Sequence, residues 1–350
     1  MDLPAGIRNF TYAQDMAIFR TRWQWVMLVV FILALFSAPL LLNNYWLGIA
    51  NLIGISVIAA TGLNILIGYC GQLSLGHAGF IAVGAYAYAI MVSRFEWPFL
   101  AAMVFAGVVA GLTGLLFGIP SVRVKGFYLA ISTIAAHFII IWVINQWSSL
   151  TGGYNGIGVP AANLFGVSFA GQKNQFYLIF VITVIVIFMA KNIARTRLGR
   201  AFVAVRDNDL AAEVMGINLF RYKLLAFFIG CFLAGIAGSL MANWIGYLNA
   251  ENFTLNESIL YIGMIIIGGL GTTIGPILGV VFIRLLQEGV NSISPLVEGW
   301  IPALPSGFTA GLGPMVFGLV IVLFLILEPR GLAHRWNLFK ASYRLWPFSY

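Results

Sequence analysis

The sequence predicts an all-α fold, a polytopic bundle of about ten transmembrane helices with both termini cytoplasmic. Three observations carry this reading. Of the 350 residues, 61% are hydrophobic and 9% charged, against about 45–50% and about 25% in soluble domains. Mean hydropathy is +0.96 for a chain of 38.2 kDa, too little polar surface to cover a water-soluble globule of that mass. Long apolar runs recur along the whole chain, and the basic residues fall between them on alternate sides. This excludes a soluble enzyme, a nucleic-acid reader and a disordered tail. The net charge of +8 and pI near 9.6 therefore report membrane orientation rather than nucleic acid, because cytoplasmic loops carry the excess of Lys and Arg.

A hydrocarbon core of about 30 Å calls for about 20 apolar residues per helix. Runs near 24–42, 46–68, 78–92, 98–119, 127–147, 175–191, 224–246, 258–268, 276–290 and 311–327 meet or approach that length. The eighth and ninth are short and separated by GGLGTTIGP at 268–276. They read as two crossings, one broken helix or a re-entrant hairpin. Charge favours ten crossings. With the N-terminus inside, the inner segments hold Arg8, Arg20 and Arg22; Arg123 and Lys125; Lys191, Arg195, Arg197, Arg200, Arg206, Arg221 and Lys223; and Arg330, Arg335, Lys340 and Arg344. The outer segments hold only Arg94 and Lys173. Merging the eighth and ninth runs would put the basic tail outside.

The expected organisation is a cytoplasmic segment 1–23, a transmembrane domain 24–327 with a cytoplasmic loop at 192–223, and a cytoplasmic tail 328–350. The first apolar run is as long as a full span and lacks a small-residue cleavage site, so it reads as an uncleaved helix. In the seventh run Ala226, Gly230, Ala234, Gly238 and Ala242 recur every fourth residue. Such a stripe lets another backbone approach closely, as do Gly107, Gly111, Gly114 and Gly118 in the fourth.

Catalytic chemistry is poorly provided for. None of the five lysines follows a glycine, so there is no Walker A loop. His77, His137 and His334 are far apart and form no metal motif. Cys70 and Cys231 lie in apolar stretches and read as small core residues. No cofactor and no enzymatic activity are expected. The spans hold almost no acids, which disfavours an ion-driven pump. Arg284 and Glu288 lie four apart on the ninth run, where they could pair.

Two segments do not read as passive spans. The string from Gly71 to His77 interrupts an apolar run with polar, Gly-rich backbone, tolerated at membrane depth only where protein or a watery cavity satisfies it. Gln72, Ser74 and His77 are candidate translocation-path residues on that reading; a plain cytoplasmic turn is the alternative. Thr133 and His137, on one helix face, join the candidates. The second segment is the inner loop 194–227, the most polar of the chain. Asp207 and Asp209 sit where a short helix could begin, and Gly216 where it could stop. Leu210, Ala211, Val214 and Met215 give that helix an apolar strip for a lipid surface or for a groove on a soluble partner.

AFVAVRDNDLAAEVMGIN with the following RYKLLAFFIGCFLAGIAGSL, GLNILIGYCGQLSLGHAGFIAVGAYAYA, GFYLAISTIA, TGGYNGI and GGLGTTIGPILG together resemble the permease subunits of branched-chain amino acid ABC importers, LivM type. The likeness runs from about 45 to 332. It implies a multi-pass protein of the bacterial inner membrane, with a homologous second permease, two cytoplasmic ATP-binding subunits and a periplasmic substrate-binding protein as partners beside membrane lipid. It also implies that 207–216 docks on the ATPase, with Arg206, Asp207, Asp209, Ala212, Glu213 and Gly216 as coupling residues. The rivals are the same scaffold importing urea, short amides or aromatic acids, and a stand-alone carrier or channel.

Overall fold

The computed structural model describes residues 22–122, 126–164, 167–300 and 308–345. Residues 1–21 of the expected N-terminal segment, Arg123, Lys125 and the last five residues of the tail lie outside the described residues. Within them the chain is a helical bundle, and each of the ten apolar runs coincides with a helix.

In chain order these are α1 (Arg22–Leu41), α2 (Asn44–Asn64, continued by a π-helical turn Ile65–Tyr69), α3 (His77–Phe95), α4 (Phe99–Val122) and α5 (Phe127–Gln146). Then come α6 (Gln172–Arg195), α7 (Arg197–Asp207), α8 (Asp209–Val214) and α9 (Leu219–Ile245). The chain ends with α10 (Leu255–Gly268), α11 (Gly275–Trp300), α12 (Phe308–Leu327) and α13 (Leu332–Leu345). Two-residue strands are confined to the connections. Ile157–Gly158 pairs with Tyr247–Leu248, and Asn163–Leu164 with Val167–Ser168.

The core forms around α9, which packs along α4, α3 and α2. Its sequence explains why. All five residues of the small-side-chain stripe, Ala226 to Ala242, are buried. A methyl group on Gly238 would lie 2.1 Å from the Ile81 carbonyl, and one on Gly84 2.3 Å from the Gly235 Cα. Backbones therefore meet where side chains are smallest, the way helices associate without a hydrophobic drive between them. The α4 glycines serve the same joint, Gly107 and Gly111 receiving the rings of Phe232 and Phe228. Only 6% of Gln24–Leu41 in α1 is buried, and Met27, Phe31 and Leu33 project from it. Apolar side chains facing outward suit lipid rather than water.

Among the described residues, eight helices are long and apolar enough to cross a membrane. A ninth candidate is the pair Gly313–Leu327 and Leu332–Ser342, bent by 46°. The remaining run, α10, has 14 residues, about 21 Å at about 1.5 Å per residue, short of a bilayer core of about 30 Å. It folds back on α11 as a hairpin. A methyl on Gly268 would meet the Gly275 carbonyl at 1.9 Å, and one on Gly279 the Met264 carbonyl at 1.8 Å. Those pairs step in opposite directions along the two helices, so α10 and α11 are antiparallel and the single broken helix is excluded. Between Tyr247–Leu248 and α10, Ala250 and Phe253 are buried. Thr254 then caps α10, its hydroxyl accepting from the Glu257 amide at 3.3 Å.

Candidate functional site

The inner loop is built by its polar residues. Asn208, rather than either aspartate, is the N-cap of α8, its side-chain oxygen accepting from the Ala211 amide at 3.0 Å. Gly216 ends the segment with φ +84. There Ile217 N donates to Ala212 O at 3.0 Å and Gly216 N to Glu213 O at 2.9 Å, the paired bonds that close a helix through a left-handed glycine. Asn218 then caps α9 through the Arg221 amide at 3.0 Å. One side of α8 is fixed to the bundle through buried Ala212. The other projects: Leu210, Val214 and Met215 are 68%, 88% and 82% exposed.

Arg206 joins this loop to the membrane core. Its Nη1 donates to the Gly68 carbonyl at 2.7 Å at the end of the π-helical turn, while Nε and Nη2 hold Asp207 at 2.9 and 2.8 Å. A Cβ on Gly271 would sit 2.8 Å from the same Nη1. Lys223 reaches Asp209 at 3.9 Å. Gln72, Arg206, Asp207, Asp209 and Lys223 thus line one cleft of about 360 Å³ at this end of the bundle. Gln72, a candidate path residue, lies among the candidate coupling residues. Glu213 and Gly216 are exposed on the far side of α8. Burial pushes the nearby Cys70 thiol up to about 12, with Lys223 acting against the shift.

The other path candidates are packed in protein. Ser74 and His77 are fully buried, and His77 Nε2 lies 3.0 Å from the Ala59 carbonyl. Thr133 Oγ1 accepts from the Leu75 amide at 2.9 Å and donates to the Ala130 carbonyl at 2.8 Å. His137 packs against Gly79, where an added methyl would come within 3.1 Å of it. Thr133 on α5 thus holds the string at Leu75, and Ser258 on α10 accepts from the Ala78 amide just beyond it at 2.9 Å, while Gly71 and Leu73 are exposed. Gly271 and Thr272 on the GGLGTTIGP turn are held by Asn64, which accepts from Gly271 N at 3.0 Å and donates to Thr272 O at 2.9 Å.

Further into the bundle lies a charged cluster. Arg284, 8% exposed, donates through Nε and Nη2 to Ser56 Oγ at 3.1 and 3.0 Å, and through Nη1 to Gln287 Oε1 at 3.0 Å. Its ion-pair partner is Glu257 at 3.4 Å. The expected Arg284–Glu288 pair does not form; Glu288 instead accepts from the Tyr45 hydroxyl. The reason is geometric. The guanidinium turns into the bundle toward α2 and α10, where burial makes a partner necessary, while Glu288 stays at the half-buried rim of α11.

The profile of the family described as the permease component of branched-chain amino acid transport systems matches residues 45–325. The chain belongs to this permease family. It is 30% identical over 308 residues to the high-affinity branched-chain amino acid transport system permease protein LivM of Escherichia coli, covering 80% of this chain and 72% of that one. Identity to the LivM protein of Salmonella typhimurium is 31% over 293 residues, 76% and 69% of the two chains. The autoinducer 2 import system permease protein LsrC of an Enterobacter strain is 28% identical over 238 residues, 65% and 63% of the chains. No solved structure matches. The chain is thus a multi-pass membrane permease subunit of an ABC importer.

The permease's sequence concealed two things that its structure exposes. Asn64 sits in an apolar run and carried no motif, yet it pins a turn about 200 residues away; a lone amide inside a span was the available signal. Glu257 is the true partner of Arg284, and its distance in sequence hid it. A buried arginine demands an acid, and Glu257 was the acid at the start of the adjacent short helix.

Proposed function

We propose that this permease forms, with a second homologous permease, the translocation path of an ATP-driven importer for branched-chain amino acids in the bacterial inner membrane. A periplasmic binding protein delivers the substrate, and two cytoplasmic ATP-binding subunits supply the work. The observation that carries this is α8, a helix of six residues anchored by Arg206 and Ala212 that presents Leu210, Val214 and Met215 outward. A small apolar surface on a rigid mount fits a groove on a soluble partner. In this reading Asp207, Asp209 and Glu213 flank the contact and Gly216 sets the exit angle of the chain. Movement of the ATPases reaches the bundle through Arg206 and its bond to the turn ending α2. The substrate class follows the two LivM relatives, each matched over more than two thirds of its length.

The test is reconstitution of the whole complex in proteoliposomes. Gly216→Pro and Glu213→Arg are expected to leave membrane insertion intact while separating ATP hydrolysis from uptake. Normal coupled transport and normal ATPase retention by both variants would sink the α8 assignment. Calorimetry of the cognate binding protein against leucine, isoleucine, valine, urea and aromatic acids decides the substrate.

A further inference from the structure

We infer that the cleft between α2, α10, α11 and α12 is a transient binding site for an α-amino acid with an apolar side chain, with Glu288 receiving its ammonium and Arg284 its carboxylate. The inference rests on the amino-acid reading above and adds the site that performs it. The cleft encloses about 310 Å³, at the small end of the range of about 300–1,000 Å³ for ligand sites. Its polar lining comprises Arg284, Glu288, Gln287, Asn256 and Asn291; its apolar lining includes Ile49, Leu52, Leu260 and Phe317.

Charge selects the ligand. Arg284 is neutralised by Glu257 at 3.4 Å. Among the described residues Glu288 has the Tyr45 hydroxyl as its partner and no ion-paired cation. The three charged groups therefore sum to one excess negative charge, placed at the rim, where an incoming ammonium would settle. A carboxylate would need Arg284, whose Nη1 already spends one hydrogen on Gln287 and keeps a second, since a guanidinium carries five donors. A simple cation would leave the apolar wall unused, and an apolar solute would leave the charges unsolvated. A zwitterion with a hydrocarbon side chain uses both.

Depth agrees. Arg284 lies nine residues along α11 from Gly275, about 13 Å at about 1.5 Å per residue. Gly275 marks the end of the bundle that holds Arg206. Arg284 is thus well inside the membrane, beside α10, a helix too short to cross it.

The experiment uses the complete importer in proteoliposomes, reading labelled leucine uptake, the ratio of phenylalanine to leucine uptake, and hydrolysis stimulated by the binding protein. Glu288→Gln is expected to reduce leucine uptake about tenfold, the cost of one charge-assisted hydrogen bond, with stimulated hydrolysis retained. Phe317→Ala is expected to raise the phenylalanine-to-leucine ratio about tenfold by enlarging the apolar wall; a purely structural role would leave that ratio unmoved. If Glu288→Gln fails to assemble, the Phe317→Ala ratio decides alone. Leucine uptake and the ratio unchanged in both variants overturn the site while the transport reading stands. An unaltered complex that imports no amino acid overturns the transport reading, and this assignment with it.

Discussion

Asn64 and Gly238 show how much of the bundle rests on single residues of small size. Asn64→Ala strands the Gly271 amide and the Thr272 carbonyl, both held by one side chain. A buried unsatisfied group costs about 1–3 kcal/mol, so the variant is expected to melt at lower temperature in detergent, read by loss of the monodisperse peak on heating. Gly238→Ala forces a methyl to 2.1 Å from the Ile81 carbonyl, and overpacking of this kind costs about 1–3 kcal/mol or more. Gly318→Ala is the control, since nothing lies within 4 Å of its added carbon. Equal melting of the two glycine variants would refute the close-packing account of the α3–α9 joint. The stripe containing Gly238 was legible because small residues at every fourth position have few other uses. Asn64 was not, because an amide announces that it needs partners but not where they are. The same limit explains Arg284, for which the nearest acid in sequence, Glu288, was the wrong one.

Among elements, α8 was readable almost to its ends. Asp207, Asp209 and Gly216 bracketed it, and only the cap differed, Asn208 holding the Ala211 amide. Polar residues mark helix ends because the first amides need acceptors, and that need is local. The α10–α11 hairpin was less legible, since hydropathy measures whether a run is apolar and not how its two halves are arranged. Antiparallel packing came from Gly268, Gly275 and Gly279, whose role depends on a partner backbone. The exposure of α8 gives a sharp expectation. Leu210→Ser with Val214→Ser removes two side chains that are 68% and 88% exposed, so the isolated permease is expected to keep its melting temperature, surface changes lying within about 0.5 kcal/mol. The same variant is expected to lose its ATPase partner in co-purification. Retention of the ATPase would mean that docking uses another surface.

For the molecule as a whole, orientation follows from contacts that join distant segments at one end. Arg206 meets Gly68 and Gly271 there. Gly331, at the start of α13, packs on Gly269, its added methyl falling 2.6 Å from the Gly269 Cα. The inner loop, the GGLGTTIGP turn and the beginning of the tail therefore share one end of the bundle. The small pairing of Ile157–Gly158 with Tyr247–Leu248 caps the other. The loop and the tail carry eleven of the chain's nineteen Lys and Arg residues between Lys191 and Arg344, and basic segments stay on the cytoplasmic side. A bundle oriented this way would place Glu213 and the C-terminal helix inside and Asn155 outside. In a variant lacking Cys70 and Cys231, a single cysteine at position 155 is expected to react with a membrane-impermeant maleimide in intact cells. Cysteines at 213 and 337 are expected to react only after the membrane is opened. Labelling of position 337 from outside would break the link between the packing at Gly269 and the charge rule, because it would require α12 not to cross while Gly331 remained beside Gly269.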